Sequence, residues 1–197
     1  MSVDWNACYH SGETPWEKGE PHPELPFLLS GHREVFSNAS AILVPGCGVG
    51  HDAAAIAKAT PATVTGLDLA EGAIALASSR HADSPVSWKV GDLFTWQGRF
   101  DLVFEHTCFC AIPPDRRADY ASTMGRLIPP GGYLVGIFFL NPDHEGEEGP
   151  PFGVSVEELK DYFEPDFDLE WSRQPQRTYE GREGDGRELA MIWKRRS

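Results

Sequence analysis

From residue 41 onward the chain alternates between two rhythms of apolar and polar positions. Short apolar or β-branched runs bounded by Pro, Gly or Asp predict strands over 41–44, 63–69, 86–90, 100–105 and 132–140. Between them lie segments with helical spacing, over 51–59, 71–80 and 115–128. In the last of these, Tyr120, Met124 and Leu127 share one face, and Pro113-Pro114 lead into it. A further helix is predicted over 155–163. Ser155 and Glu158 have capping-box spacing there, with Val154 and Leu159 as the matching staple. Two late strands, 167–171 and 189–194, have no helix-length apolar pattern between them, so they should pair as a hairpin. Residues 25–36 read as a helix, whereas 1–24 are rich in Trp, Pro, Gly and Glu and have no period.

Strands alternating with helices mean βαβ units, a parallel sheet and helices on both faces. The seven strands therefore predict an α/β fold, mostly parallel, with the terminal hairpin making one strand antiparallel. No repeat and no second boundary interrupts the chain, so residues 1–197 read as one domain. In such sheets ligands bind outside the carboxyl ends of the strands. The loop 141–153 follows the fifth strand and is expected at that crevice.

Composition narrows the class. Hydrophobic residues at 41% and charged residues at 24% are ordinary for a globular chain. Seventeen basic against thirty acidic residues give a net charge of -13. That disfavours nucleic acid and anionic membrane as partners, since phosphate binding needs clustered Lys and Arg. The N-terminus has neither a basic nor an apolar signal region. Cys8, Cys47, Cys108 and Cys110 lack zinc or CxxC spacing and read as reduced thiols, which together predict a cytoplasmic location. Cys108 and Cys110 would share a face if their segment were a strand. The seven histidines lack ligand spacing, so no metal is expected, and His10, His106 and His144 are the ones placed near the site.

Three strand ends carry candidate chemistry. The first runs into Gly46-Cys47-Gly48-Val49-Gly50, whose glycines allow a tight turn and close ligand approach. His51 stands where a dinucleotide loop would place its third glycine, so a ligand without a pyrophosphate suits the turn better. Asp68 ends the second strand, where a carboxylate can accept from both ribose hydroxyls or can cap the next helix. The third strand ends at Gly91-Asp92-Leu93-Phe94, which can take an adenine amino group and ring or can be a solvated turn.

These residues resemble S-adenosylmethionine-dependent methyltransferases with a seven-stranded, Rossmann-like class I sheet. Trp5, Tyr9 and the run from Gly12 to Gly19 narrow the resemblance to the thiopurine S-methyltransferase superfamily. The halide/thiol (thiocyanate) methyltransferase branch is the nearest, through Val44-Pro45-Gly46-Cys47-Gly48-Val49-Gly50-His51-Asp52. Phe100 to Phe104, Phe109-Cys110-Ala111-Ile112 with Arg117, Asp143-His144, Gly149-Pro150-Pro151 and Val154-Ser155 are similar to further segments of that branch. The resemblance implies S-adenosylmethionine as donor, S-adenosylhomocysteine as product, and residues 1–24 as a lid. It places Trp5, Tyr9 and Trp16 on the donor with Gly46, Gly48, Asp68, Asp92, Leu93 and Phe94. Aromatic faces suit a sulfonium cation, though the same rings could serve as core anchors. His106 replaces a family Tyr that would touch the cofactor, and Cys108 replaces a Phe near the acceptor pocket.

The implied reaction is in-line methyl transfer to a small soft nucleophile: a thiol, bisulfide, thiocyanate or halide. An acceptor arriving as an anion needs no general base, and Glu105, His106, Asp143 and His144 show no relay spacing. A larger thiol such as a thiopurine, or a metalloid, is the alternative within the class. A nicotinamide-dependent oxidoreductase is the alternative outside it, disfavoured by His51. The acceptor is a small molecule in each case; its identity and the oligomeric state stay open, with a monomer favoured.

Overall fold

A computed structural model describes residues 3–140, 149–184 and 186–197. Seven strands form one sheet: β1 (Ala41–Pro45), β2 (Thr63–Asp68), β3 (Ser87–Val90), β4 (Leu102–His106), β5 (Tyr133–Phe139), β6 (Phe167–Arg173) and β7 (Glu188–Arg195). Their order is β3-β2-β1-β4-β5-β7-β6. β1 to β5 run parallel, and β7 runs antiparallel to both β5 and β6.

The central strands β1 and β5 are almost wholly apolar because both sheet faces are covered, and β4 is apolar up to Glu105 and His106 at its carboxyl end. Successive side chains point to opposite faces. Ile42, Val44, Leu102, Phe104, Val135 and Ile137 pack with α2 (Leu25–Gly31), α3 (Arg33–Ser37) and α4 (His51–Ala59). Leu43, Val103, Leu134 and Phe138 pack on the other face with α6 (Arg117–Leu127) and α7 (Val156–Phe163). Tyr120, Met124 and Leu127 of α6 are all fully buried there, as their spacing predicts. The capping box at Ser155 and Glu158 is made in both directions. α5 (Glu71–Arg80) has its predicted bounds and buries Ala73, Ile74 and Ala77.

Three readings are corrected. The helix expected over 25–36 is two short ones, broken at His32 directly after Gly31. The aperiodic N-terminus holds a helix, α1 (Trp5–Ser11), whose Asp4 side chain accepts from the Ala7 N–H at 3.0 Å and which ends at left-handed Gly12. None of its residues is fully buried, so it lacks the apolar stripe that a periodicity search detects. Cys108 and Cys110 do not lie on a strand; Phe109–Ala111 forms a 3-10 turn directly beyond β4.

β1 sits between β2 and β4, so strand order reverses there and opens a crevice at the carboxyl ends. The antiparallel β7 has a positional consequence. Glu188, its first residue, pairs with Phe139, the last residue of β5. The loop preceding β7 is thereby delivered to the same edge of the sheet as the ends of β1, β2 and β4. Among the described residues no helix is long and apolar enough to cross a membrane.

Candidate functional site

A cavity of about 490 Å³ fills this crevice, within the size range of small-molecule sites. At one end lies the glycine turn. Gly46 and Gly48 have φ of +57° and +54°, a region that L side chains rarely adopt. A Cβ on Gly48 would stand 3.0 Å from the Tyr9 hydroxyl, and one on Gly46 3.0 Å from Cys108 Sγ. The missing side chains leave the backbone as cavity wall. Asp68 accepts the Gly48 N–H at 2.9 Å and the Ala70 N–H at 2.8 Å. It thus ties the turn after β2 to the turn after β1. It does not directly cap α5, whose N-cap is Ala70 without a side-chain bond. Burial pushes the Asp68 carboxyl up, against those backbone hydrogen bonds.

Trp5, Tyr9 and Trp16 cover this end. The Trp5 and Trp16 rings meet edge to face at 5.3 Å, and Trp16 Nε1 donates to the Tyr9 hydroxyl at 3.1 Å. Burial raises the Tyr9 pKa, so the hydroxyl is neutral. Glu17 fastens the segment down by accepting from His51 Nε2 at 3.0 Å and Arg80 Nη1 at 3.3 Å. Partial burial opposes its ionisation, but the Gly19 N–H, Arg80 and His51 together hold its pKa below the ordinary value.

Asp92, Leu93 and Phe94 are not among the residues lining the cavity. Asp92 accepts the N–H of Phe94 in its own turn at 2.9 Å. Leu93 is in the core, and the Arg116 guanidinium lies over the Phe94 ring at 4.1 Å. The physical reason is position: β3 is the edge strand, two places from the point where strand order reverses.

The rest of the lining sets an apolar strip, Cys108, Ala111, Ile112, Phe139, Pro150 and Pro151, beside the polar side chains of Asp52, His106, Tyr179 and Arg182. Thr107, directly after β4, has φ +59°, an uncommon conformation for a β-branched residue that persists only where its surroundings impose it. The restraint is Glu105. Fully buried, it accepts from the Phe109 N–H at 2.9 Å and the Tyr120 hydroxyl at 2.6 Å, pinning the turn that presents Cys108. Burial raises the pKa of Glu105, of Cys108 and of Cys110, the last to about 12. The thiols are therefore protonated, neutral wall. Arg117 lies behind it, donating to the carbonyls of Phe152 at 3.0 Å and Gly153 at 2.9 Å. Asp143 and His144 lie outside the described residues.

His106 ends β4 and lines the cavity. Its Nδ1 is 2.6 Å from Asp52 Oδ2, and Asp52 Oδ1 accepts the His22 N–H at 2.8 Å. Burial raises the Asp52 carboxyl, but the imidazole charge and hydrogen bond of His106 outweigh this and bring its pKa below the ordinary value. The ionised carboxylate can only accept, so His106 Nδ1 carries the proton. His106 Nε2 is buried and has no partner among the described residues. Tyr179 stacks on the ring at 5.9 Å and His22 meets it edge-on at 4.8 Å.

His22 is itself fully engaged. Its Nδ1 accepts the Glu24 N–H at 3.1 Å, so its Nε2 carries the proton given to Glu188 at 3.0 Å. Burial keeps its pKa below the ordinary imidazole value. Glu188 also accepts from the Thr178 hydroxyl and from Arg182 at 3.0 Å. Burial resists its ionisation, yet the His22, Thr178 and Arg182 contacts lower its pKa to about 2.

The carboxylate that pairs with His106 is thus Asp52, outside the set of Glu105, Asp143 and His144 in which sequence spacing showed no relay. Asp52 lies 54 residues before His106, and helix α4 swings it across the crevice. The histidine assignment changes too. His22 and His51 belong to the site region, whereas His10 is absent from the lining and bonds to the Asn6 carbonyl. Tyr179, Arg182 and Glu188 have no local signal of this kind because the antiparallel β7 brings them in from the far end of the chain, as α4 brings Asp52 from after β1. Their one local signal is a polar, Gly-rich run directly before a strongly apolar strand.

The family model for thiopurine S-methyltransferase matches residues 2–188. Thiocyanate methyltransferase 1 of Brassica oleracea is 36% identical over 168 residues, spanning 82% of this chain and 71% of that protein. Probable thiol methyltransferase 2 of Arabidopsis thaliana is 36% identical over 165 residues, spanning 81% and 70% respectively. The solved N-methyltransferase NodS of Bradyrhizobium japonicum, in complex with S-adenosylhomocysteine, superposes with a TM-score of 0.72 at 18% identity. That match covers 96% of this chain and 98% of NodS, a likeness of fold.

Proposed function

Since the chain belongs to the thiopurine S-methyltransferase family and is an S-adenosylmethionine-dependent methyltransferase, we propose that it methylates a small soft nucleophile: a thiol, bisulfide, thiocyanate or halide. The observation that supports this reading is the two kinds of wall in one cavity: aromatic rings and bare glycine backbone on one side, and an apolar strip at Cys108, Ile112 and Phe139 set beside buried polar groups on the other. The nicotinamide-oxidoreductase alternative falls with the family assignment. The relatives named for thiocyanate and thiol methylation support the acceptor class.

The glycine end fits the donor. Bare backbone at Gly46 and Gly48 leaves room for a nucleoside, and the Asp68 carboxylate stands where ribose hydroxyls can donate to it. Trp5, Tyr9 and Trp16 offer ring faces that attract a sulfonium without neutralising it. These six residues form the proposed donor set, with 1–24 as its lid. Asp92, Leu93 and Phe94 are left out of it, and His106 moves to the acceptor side. When bound, the donor supplies an electrophilic methyl group. The chain's part is to hold the nucleophile in line and to keep water away with the Cys108, Ile112 and Phe139 wall. Free cysteines fit a reducing compartment, and we place the enzyme in the cytoplasm.

An acceptor panel tests the reading: iodide, thiocyanate, bisulfide, a small alkanethiol and a thiopurine, with methylated product measured directly. The small acceptors should be turned over with higher kcat/KM than the thiopurine. Turnover of the thiopurine alone would move the assignment to the larger-thiol alternative.

A further inference from the structure

We propose that Tyr179 is a positioning residue through which closure of the N-terminal lid over the methyl donor sets the acceptor wall, so that the donor binds first and prepares the place of the acceptor. This rests on the lid and the soft-nucleophile reading above and adds the link between them. Residues from both ends of the sequence share the cavity lining: Trp16, Glu17 and Glu20 from one, Tyr179 and Arg182 from the other. They are tied at one point. The Tyr179 hydroxyl donates to the Glu20 carbonyl at 2.9 Å, across 159 residues. Burial raises the pKa of Tyr179, so the proton that this bond needs stays on the oxygen. The Arg182 N–H donates to the Tyr179 carbonyl at 3.0 Å and closes the turn that carries both residues into the lining.

The chain is held unequally on the two sides of Glu20. Beyond it the chain is fixed. His22 and Glu24 are fully buried. The His22 N–H donates to Asp52, and the Glu24 carboxylate accepts from the N–H groups of Gln176 at 2.9 Å and Arg177 at 3.3 Å and from the Arg173 side chain. Before it, α1 buries no residue fully. Its side of the lid is tied by Glu17 to His51 and Arg80, and by the Gly72 N–H to Asn6. A segment with so few buried contacts opens at low free energy. Gly19, at φ +78° and with nothing within 4 Å of a Cβ placed there, separates the two parts and can act as their hinge. Glu20 is the first residue past that hinge. From Glu17 to Glu20 the chain spans at most about 10 Å, so the Glu20 carbonyl is not set independently of the Glu17 clasp. With the clasp engaged, the carbonyl meets the Tyr179 hydroxyl. With the lid open, the carbonyl swings free and the turn from Tyr179 to Arg182 loses its tie. That bond is the contact that differs between the two states, and the coupling it gives is reciprocal: the acceptor tightens the donor as much as the donor tightens the acceptor.

Hydrogen exchange of the full chain, with and without saturating S-adenosylhomocysteine, tests the link without any acceptor. In wild type the ligand should slow exchange at 5–16 and also at 179–182, the latter by about 10-fold, inside the usual range of coupling between sites. Tyr179→Phe keeps the ring and removes only the hydroxyl. In that variant S-adenosylhomocysteine should still bind and protect 5–16, and its protection of 179–182 should vanish. A residue that merely supports the fold would instead lose protection equally with and without ligand. Calorimetry reads the same link as affinity: saturating thiocyanate should tighten S-adenosylhomocysteine by about 10-fold in wild type and by less than about twofold in the variant. If Tyr179→Phe does not fold, Glu17→Gln releases the lid from its other side, and protection of 179–182 should weaken together with that of 5–16. Protection confined to 5–16 in wild type, equal protection of 179–182 in wild type and Tyr179→Phe, or thiocyanate that is methylated yet leaves S-adenosylhomocysteine affinity unchanged would each overturn the proposal. Exchange that shows the link while neither thiocyanate nor an alkanethiol is methylated would overturn the soft-nucleophile reading and leave the link standing.

Discussion

The two ends of the cavity are built by different means. The donor end comes from short, contiguous pieces: a glycine turn, a carboxylate at the next strand end, and three aromatics within twelve residues of one another. The acceptor end comes from single residues at positions 22, 52, 106, 179, 182 and 188, which no local rhythm connects. The donor end is a backbone surface, made by what the glycines lack. The acceptor end is a network of buried polar side chains, in which each group fixes the next: Glu188 holds His22, the His22 N–H holds Asp52, and Asp52 holds His106. Such networks are costly when incomplete. The two ends should therefore fail differently, the first by losing affinity and the second by losing stability and rate together.

The largest effect separating them should come from Gly48→Val. A β-branched residue at φ +54°, with its Cβ 3.0 Å from the Tyr9 hydroxyl, blocks the donor end. Donor affinity measured by calorimetry should fall roughly 100-fold or more, while the unfolding midpoint moves less than for a network variant. Asp68→Ala should come next, weakening donor binding by about 1.5–3 kcal/mol, the scale of a hydrogen bond to a charged group. Unchanged affinity in a folded Asp68→Ala protein would remove this residue from the donor set. On the acceptor side, Tyr120→Phe leaves buried Glu105 one donor short. It should lower stability by about 1–3 kcal/mol in urea unfolding and leave donor affinity near the wild-type value.

Acid stability sharpens the contrast, because two of its most buried titrating groups, His22 and Glu188, sit in the acceptor network. His22 is held neutral below its ordinary value of 6.5. As pH falls past that value the unfolded chain takes up a proton that the folded chain refuses, so stability decreases. Glu188 acts lower down. Its contribution is complete above the ordinary value of 4.5 and is lost as pH falls toward its folded value of about 2. Urea midpoints from pH 8 to pH 3 should therefore drop in two stages, and His22→Gln should shrink the upper one, to which the part-exposed His32 and His81 also contribute. The smallest effect is expected at the lid clasp. Glu17→Gln removes a partly exposed ion pair, worth about 0.2–1 kcal/mol. Its readout is faster proteolysis of residues 1–24 in the presence of S-adenosylhomocysteine, with little change in global stability.

How much of the molecule was legible beforehand follows the same division. Strands β1 and β5 announce themselves through apolar runs, and β2 through its β-branched residues Thr63, Val64 and Thr65. The amphipathic face of α6 and the capping box of α7 are written within single turns of helix, and the terminal hairpin shows as two strands with no helix between them. The proposed donor end was legible for the same reason: Gly46, Gly48 and Asp68 sit at strand ends, which periodicity locates. α1 was not legible, because a helix that buries no residue fully carries no stripe. Asp92 sits at a strand end of the same kind, but local pattern cannot say that β3 lies at the sheet's edge.

The sequence by itself determined which segments become strands and helices, where the glycine turn falls, and which family the chain resembles. These depend on interactions within a few residues. Tertiary structure alone decided that Asp52 meets His106, that His22 and Glu188 stand behind them, and that Asp92 stays away from the cavity. Those outcomes depend on strand order and on the reversed direction of β7. Both are set by how apolar faces pack across the whole sheet, and that packing has no signature in any single stretch of chain.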